Sequence, residues 1–300
     1  MPDLCVLEVD DREVTSKGVN LKDRKVFFRQ IAAFAEVKKS HKDDPVPVRT
    51  SATLNTAQVA DYAAMLFIGR PFNLFIVGLS VCGTRFRVGY FDRSGILFSE
   101  ARDILSEQGF PIFVSVIRRI TCDMSNTDLG HNANIRMLEG HTYYQTEYPK
   151  FEIDTGRQPY YITEGRPLWV SFSYLGRGTS IWVALSSDGA KLVLKLAWRR
   201  EDRRGEASIY RDVGQILGMA RFKDGGDMTW RHRSGKISIK SIRNLNPEAE
   251  FKRNVILHFV GVNPIGKMLW HAKDDLEYCL GIWAAIKGKV DASKSSPQPC

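Results

Sequence analysis

Two glycines, a lysine and a glutamate follow one another at spacings that suit the binding of a nucleotide phosphate. Gly176 and Gly178 form a G-x-G pair, and Val183 completes the pattern G-x-G-x-x-x-x-V. Glycine backbone approaches phosphate oxygens closely and presents its N–H groups to them. Lys195 lies 12 residues after the valine in an apolar run, where its ammonium needs an anionic partner. Glu206, 11 residues further on, opens a predicted helix and supplies that partner.

The order of loop, strand lysine and helix glutamate is that of the ATP-binding half of a protein kinase. The loop joins two predicted strands, whereas a Rossmann or Walker A loop joins a strand to a helix. Ile181 stands where the full kinase loop has a third glycine. The alternative is an ordinary β-hairpin whose lysine extends to water. The segment RNVILHFVGVNPIGK favours the kinase interpretation, because it has the pattern of a strand and hinge, with backbone at about 259–261 pairing with adenine.

The groups that carry out phosphoryl transfer are not found at the expected places. A kinase takes its acceptor-side aspartate and its Mg²⁺ ligands from H-R-D-x-x-x-x-N and D-F-G segments that follow the hinge. His232 and Arg233 are followed by Ser234, and the pair precedes the hinge. A D-L-G triplet at 128–130 precedes the glycine loop, which is the wrong order. We therefore expect an inactive or incomplete kinase that retains the ATP-binding half, either a truncated gene model or a regulatory remnant.

A second set of residues near the N-terminus suggests chemistry on a phosphodiester. Asp3 opens a predicted strand, and Glu36 and Lys38 close another as E-x-K. Gln58 and Tyr62 follow as Q-x-x-x-Y on a predicted helix. Two carboxylates suit Mg²⁺, and a lysine beside them would polarise water or phosphate. The alternative treats the aspartate as a strand-edge charge and the E-x-K residues as an exposed ion pair.

Both sets fall within segments that resemble known families. The chain resembles the fungal-type protein kinases over most of its length, through AQVADYAAMLFIGRPFNLFIVGLSVCGTRFRVGYFDRSGILFSE, LGRGTSIWVA, VLKLAWRREDRRGEASIY and LHFVGVNPIGKMLWHAKDDLEYCLGIWAAIKG. The FDRSG turn and the step from Lys195 to Trp198 are the more specific marks. This resemblance implies ATP, with Mg²⁺, on Gly176, Gly178, Val183, Lys195 and Glu206. The N-terminal set resembles the PD-(D/E)xK nuclease core.

Hydrophobic patterning predicts an α+β chain. We expect an α/β PD-(D/E)xK-like domain followed by a kinase-like small lobe, built from an antiparallel sheet and one helix, then a hinge and the first large-lobe helix. The strands DLCVLEV and RQIAAFAEVK and the helix LNTAQVADYAAMLFIG, capped by Asn55 or Thr56, belong to the first domain. The predicted domain limits are 1–120, a connecting region at 121–159 with a short strand at TYYQT, 160–289, and a disordered tail at 290–300.

Composition limits the classes of partner and the cellular compartment but identifies no specific partner. The net charge of +9 favours acidic partners, among them nucleotides, nucleic acids and acidic proteins. Acidic residues interleave the basic stretches, so a solvated face is favoured over a nucleic-acid surface. No apolar run approaches the roughly 20 residues of a membrane span. The five widely separated cysteines and the lack of a secretory leader predict an intracellular protein of cytoplasm or nucleus.

Three functions remain open on sequence alone. The first is a Ser/Thr protein kinase relative that binds ATP and an unidentified protein substrate. The second is a non-catalytic interaction or scaffold protein in which both domains are remnants. The third is a Mg²⁺-dependent nuclease that uses Asp3, Glu36 and Lys38.

Overall fold

The chain folds into two compact units, each with its own sheet. The computed structural model describes residues 2–8, 26–46, 53–143, 145, 147–157, 160–216, 219–246, 251–266 and 271–295, with side chains up to 287. The first unit comprises Met1–Pro149 and Val170–Gly178, and the second comprises Lys150–Trp169 and Thr179–Cys300. Two sheets and few helices confirm the predicted α+β class. The domain limits inferred from sequence stay a prediction.

The first unit is built on a mixed sheet with strand order β1-β2-β3-β4-β5. Strand β1 is antiparallel to β2, β2 is parallel to β3, and the remaining neighbours are antiparallel. A parallel pair needs a crossover, and helix α1 provides it. The strands of this sheet are β1 (Leu4–Leu7), β2 (Ile31–Lys38), β3 (Phe75–Cys82), β4 (Arg85–Asp92), β5 (Gly95–Phe98) and β6 (Arg102–Asp103), the last paired with β4. The short strand β7 (Ile135–Met137) belongs to the first unit but is not part of this sheet. The helices are α1 (Leu54–Gly69) and α2 (Gly109–Arg118), with short turns at Phe28–Gln30, His41–Asp43 and Arg119–Asp123.

Helix α1 has its N-cap two or three residues before the positions predicted from the sequence. Its N-cap is Thr53, whose side chain accepts a hydrogen bond from the Thr56 amide at 3.1 Å, so the prediction of Asn55 or Thr56 as cap is wrong. Asn55 is buried and its amide donates to the Asp43 carbonyl instead. The predicted end at Gly69 is confirmed. A Cβ at Gly69 would lie 2.7 Å from the Arg29 backbone nitrogen, so only glycine allows this contact.

The core of the first unit lies between α1 and its sheet. Phe34 of β2, Ile76 of β3 and Phe91 of β4 pack with Val59 and Phe67 of the helix, and all are at most 3% exposed. The aromatic rings of Phe34 and Phe91 lie 5.6 Å apart, a distance typical of favourable ring contacts. This packing fixes the height and rotation of α1 over the carboxyl end of β2.

The second unit is an antiparallel sheet with strand order β13-β14-β12-β11-β9-β8. Buried Trp182, Leu194 and Phe259 lie on one face of this sheet. The opposite face carries α3. The strands are β8 (Phe151–Ile153), β9 (Tyr161–Thr163), β10 (Trp169–Val170), β11 (Ser180–Ser186), β12 (Lys191–Arg200), β13 (Arg221–Asp227) and β14 (Val255–Asn263). The helices are α3 (Glu206–Val213), α4 (Ile239–Ile242) and α5 (Asp275–Ser295).

Several local predictions for the second half of the chain are wrong. The sequence predicts a variable loop from Arg221 to Asn246, but this stretch contains β13 and α4, and Gly225 and Gly226 let β13 pair closely with β14. The stretch GEASIYRDVGQILGM predicts a helix as far as Met219, but α3 ends at Val213, where Gly214 adopts a φ of 69°. Helix α5 continues to Ser295, so the tail expected to be disordered from 290 is partly helical.

The predicted short strand at 142–146 is not found in its described residues. The backbone carbonyls of Tyr143 and Gln145 instead accept hydrogen bonds from the buried guanidinium of Arg29, at 3.0 and 2.7 Å. These carbonyls are therefore used by a side chain and not by a neighbouring strand. Within the described part of the chain, no helix is long and apolar enough to cross a membrane.

Truncation of a buried side chain of α1, Phe67, should destabilise the first unit. Phe67→Ala removes a side chain that is 1% exposed, and we expect it to lower the free energy of unfolding by about 3–5 kcal/mol in urea. Met65→Ala, on the same helix but 44% exposed, is the matched control and should cost about 0.5 kcal/mol or less. Equal losses in the two variants would show that α1 does not pack as described.

Candidate functional site

Lys195 and Glu206 form an ion pair between the second sheet and helix α3. The Lys195 ammonium donates to both carboxylate oxygens of Glu206, at 2.9 and 2.7 Å. The two side chains are 26% and 30% exposed, so the pair is partly shielded but open to a ligand. An ammonium has three donors, and the described residues occupy two of them. The third can reach an anionic oxygen without loss of the pair.

Strand pairing determines which side chains surround this ion pair. Lys195 lies opposite Ile181 of β11 and opposite Val260 of β14. Because side chains alternate along a strand, Val183, paired with Val193, shares the face that carries Lys195. The predicted Val183, Lys195 and Glu206 are thus brought together in one unit. Their roles toward ATP stay a prediction.

A largely shielded carboxylate, that of Asp227, which sequence reasoning missed, lies on the same face of the sheet. Asp227 receives two hydrogen bonds from the guanidinium of Arg199, at 2.8 and 2.6 Å, and an ion pair from Lys236 at 2.8 Å. Nδ1 of His258 lies 2.9 Å from Oδ1 of Asp227, the same oxygen that accepts from Nε of Arg199. Burial by itself would raise the pKa of Asp227, but the hydrogen bonds from His258, Arg199 and Lys236 outweigh it and hold the pKa well below its usual range. The four residues lie far apart in sequence, so only the strand register reveals them.

The two glycines of the predicted phosphate loop pack within the first unit. Gly176 and Gly178 have φ values of 92° and 42°, in the region that favours glycine. A Cβ at Gly178 would lie 2.5 Å from the guanidinium carbon of Arg93. A Cβ at Gly176 would have no atom within 4 Å, so glycine is favoured at this position only by its positive φ. Their contribution to phosphate binding stays a prediction.

Arg93, in the FDRSG turn, is the residue that holds this loop. Its guanidinium donates to the carbonyls of Ser173 and Tyr174, at 2.9 and 3.1 Å, and stacks 4.0 Å above the ring of Phe67. Burial lowers the pKa of Arg93 to about 10, only partly offset by Tyr174. The Tyr174 hydroxyl in turn donates to the Gly95 carbonyl at 2.7 Å. The segment that carries the glycines is therefore fixed by several contacts.

The predicted adenine contact at 259–261 is wrong. Phe259, Val260 and Gly261 lie within β14 and pair with β12 on one side and with β13 on the other. Their backbone groups face strands on both sides, so they are not available to a purine. A segment that pairs with adenine would have to follow Asn263, where the strand ends.

The five residues of the N-terminal set converge at the carboxyl end of β2. Leu4 pairs with Ala35, which places Asp3 beside Glu36, and the Asp3 carboxylate accepts the Val37 amide at 2.8 Å. One carboxylate oxygen of Glu36, Oε1, accepts hydrogen bonds from Lys38 and from Gln58, the latter at 2.7 Å. The Gln58 amide also donates to the Tyr62 hydroxyl at 2.7 Å.

Glu36 is the centre of this cluster. It is 1% exposed, and its other oxygen, Oε2, is buried without a hydrogen-bond partner. The hydrogen bond to Glu36 is the main cause that raises the pKa of Lys38. The interpretation of Glu36 and Lys38 as an exposed pair is therefore wrong for the glutamate. No group of three or more His, Cys, Asp or Glu side chains suited to a metal ion occurs in the residues described.

Two short segments resemble kinase catalytic motifs in sequence: the D-L-G triplet at 128–130 and the His232–Arg233 pair. Asp128 accepts hydrogen bonds from the Ser125 hydroxyl and amide, at 2.7 and 3.0 Å, and these bonds lower the pKa of Asp128. It closes a turn and lies on no strand. His232 is exposed and is followed by a short loop.

Comparison with known proteins decides the family. A family model described as fungal protein kinase matches residues 1–291. The chain belongs to the fungal protein kinase family. No curated protein and no solved structure matches it. Because the fungal protein kinase match extends over both units, the Asp3–Glu36 cluster lies within the same family region as the Lys195–Glu206 pair. The family assigned from sequence resemblance is thus confirmed.

Replacement of Asp227 should change how stability depends on pH. Because the folded state lowers the pKa of Asp227, its contribution is present above the unfolded value of about 3.9 and is lost as pH falls from there through the folded value. We expect Asp227→Asn to lower the free energy of unfolding by about 3–5 kcal/mol at pH 7. The difference from the parent protein should shrink below about pH 4, as measured by urea unfolding. A constant difference through the acid range would contradict the assignment.

Proposed function

We propose that this fungal protein kinase chain provides the ATP-binding half of an enzyme that phosphorylates Ser or Thr of proteins. The observation that carries the proposal is the Lys195–Glu206 pair, held between a sheet strand and the first turn of a helix. In kinases this arrangement places the lysine on the α- and β-phosphates. The strand order β13-β14-β12-β11-β9 supports a small-lobe arrangement, with the lysine strand between the strand after the glycine loop and the strand before the hinge.

The residues present fit the phosphate groups of ATP. The Lys195 ammonium keeps one donor for a phosphate oxygen and is partly exposed, while Glu206 fixes its position. Val183, on the same face, supplies apolar surface of the kind that covers a purine. Mg²⁺, bound with ATP, would neutralise phosphate charge, and this chain's part is to orient the nucleotide.

The chain lacks H-R-D-x-x-x-x-N and D-F-G segments. Phosphoryl transfer depends almost entirely on positioning and charge neutralisation, so the Lys195–Glu206 site provides binding without the groups that direct the acceptor hydroxyl. We therefore propose ATP binding, with an unidentified protein as substrate or partner, as the activity of these 300 residues.

Lys195→Met tests the proposal. Loss of a charge-assisted hydrogen bond should weaken binding of a non-hydrolysable ATP analogue with Mg²⁺ by about 10- to 100-fold, measured by calorimetry. Lys191→Met is the matched control, because Lys191 lies on the same strand, is 55% exposed and pairs with Glu164. It should bind like the parent protein. Equal affinity in the parent and Lys195→Met proteins would remove the nucleotide site from this position.

The convergence of Asp3, Glu36, Lys38, Gln58 and Tyr62 favours a second candidate, a Mg²⁺-dependent nuclease. Two carboxylates fit a Mg²⁺ ion that completes its shell with waters and a substrate phosphate. Bound Mg²⁺ would supply charge to the phosphodiester, and Lys38 would orient water or phosphate beside it. The hydrogen bonds that already occupy Glu36 and Asp3 favour a structural role for the cluster, so this remains the second candidate.

Plasmid nicking distinguishes the candidates. A nuclease requires Mg²⁺-dependent nicking that disappears in Glu36→Gln and in Lys38→Met, with the fold checked by thermal unfolding. The exposed Lys42→Met serves as the control and should nick like the parent protein. Nicking that survives the loss of Glu36, or no nicking in the parent protein, would eliminate this candidate and leave the cluster as a structural network.

A further inference from the structure

Helix α3 begins without a capping side chain of its own. The first N–H groups of a helix have no acceptor inside the helix, and Ser, Thr, Asp or Asn at the N-cap normally supplies one. The N-cap of α3 is Gly205, which offers no side chain. Glu206, whose carboxylate binds Lys195, is the first residue of this helix. The position of the N-terminus of α3 therefore determines where the Glu206 carboxylate lies.

A histidine from the neighbouring sheet supplies the missing acceptor. The Ala207 amide donates to Nε2 of His258, in β14, at 3.2 Å. His258 pairs with Ala197, two residues from Lys195, so both side chains lie on the face that carries α3. His258 is 6% exposed and Ala207 is fully buried. Water cannot replace the imidazole without opening this contact.

The Asp227 carboxylate selects the form of the imidazole that can do this. A ring nitrogen that accepts an N–H carries no proton, so the partners assign the proton to Nδ1, which donates to Asp227 at 2.9 Å. Arg199 bridges both oxygens of Asp227 and Lys236 binds Oδ2, so the two cations hold Asp227 as a carboxylate. The chain of contacts runs from Arg199 through Asp227 and His258 to the first turn of α3.

Gly205 makes the close approach geometrically feasible. A Cβ at this position would lie 2.8 Å from Cε1 of His258, closer than real Cβ contacts allow. Glycine at the N-cap is thus the residue that lets the helix start reach the ring. On the far side, a Cβ at Gly225 would lie 2.8 Å from the Ala207 side chain. The first turn of α3 is therefore in close contact with β14 through Gly205 and with β13 through Ala207.

We propose that His258 is a positioning residue, whose neutral imidazole caps α3 and thereby holds Glu206 against Lys195 for nucleotide binding. The inference rests on the proposed ATP-binding function, and it adds to it the residue that sets the helix position. His258 does not touch the nucleotide. It acts through Ala207 and Glu206.

Two substitutions separate capping from bulk packing. His258→Phe keeps a ring but removes the acceptor, and we expect the ATP analogue with Mg²⁺ to bind about three- to tenfold more weakly. His258→Gln keeps an acceptor of similar reach and should bind within about twofold of the parent protein. Amide hydrogen exchange at Ala207 should accelerate in the Phe variant and stay slow in the Gln variant. His232→Phe, at an exposed histidine, is the matched control and should change neither quantity.

The outcomes distinguish this inference from the proposed function. If the parent protein binds nucleotide and both His258 variants match it in affinity and exchange, the inference is overturned. If the parent protein does not bind nucleotide, the proposed function fails, and exchange at Ala207 alone decides whether His258 caps the helix. Should His258→Phe fail to fold, Gly205→Ala tests the same contact with the imidazole intact. It should weaken binding similarly, and unchanged binding would overturn the inference.

Discussion

The Lys195 side chain is mostly shielded from solvent, and its ammonium charge therefore requires a negative partner at a fixed position. A shielded ammonium without an anionic partner is energetically costly. Glu206 supplies the partner, but only if helix α3 starts at the right height above the sheet. The register of β12 against β14 places Lys195, Ala197 and His258 on that one face. The sheet register is therefore the constraint on which the ion pair depends.

In the first unit, too, a helix packed on a sheet supplies the hydrogen-bond partner of a carboxylate, here the buried Glu36. Glu36 lies at the carboxyl end of a strand that is parallel to its neighbour, and the crossover helix α1 brings Gln58 over it. The aromatic core of Phe34, Phe67 and Phe91 fixes that helix. The Arg93 turn at the end of β4 holds the segment with Gly176 and Gly178 through backbone carbonyls. Both glycines thus depend on packing in the first unit.

Sequence spacing anticipated the residues whose geometry is set by one or two adjacent elements. Lys195 and Glu206 are separated by one strand end and one turn, so their meeting follows from chain order. The convergence of Asp3, Glu36 and Gln58 follows from a strand pair and its crossover helix. The Asp227 network could not be predicted, because Arg199, Asp227 and His258 come from three strands whose register no local pattern specifies. Similarly, RFKDGGD has little intrinsic strand preference and becomes β13 only through pairing with β14.

The central claim is that Lys195 contacts the phosphates of a bound nucleotide. It is tested most directly with an ATP derivative that carries a lysine-reactive acyl group on its phosphates, followed by mass spectrometry of the peptides. The account predicts that Lys195 is the principal acylated lysine and that excess Mg·ATP prevents its labelling. Labelling spread over exposed lysines such as Lys191, with no protection by Mg·ATP, would contradict it.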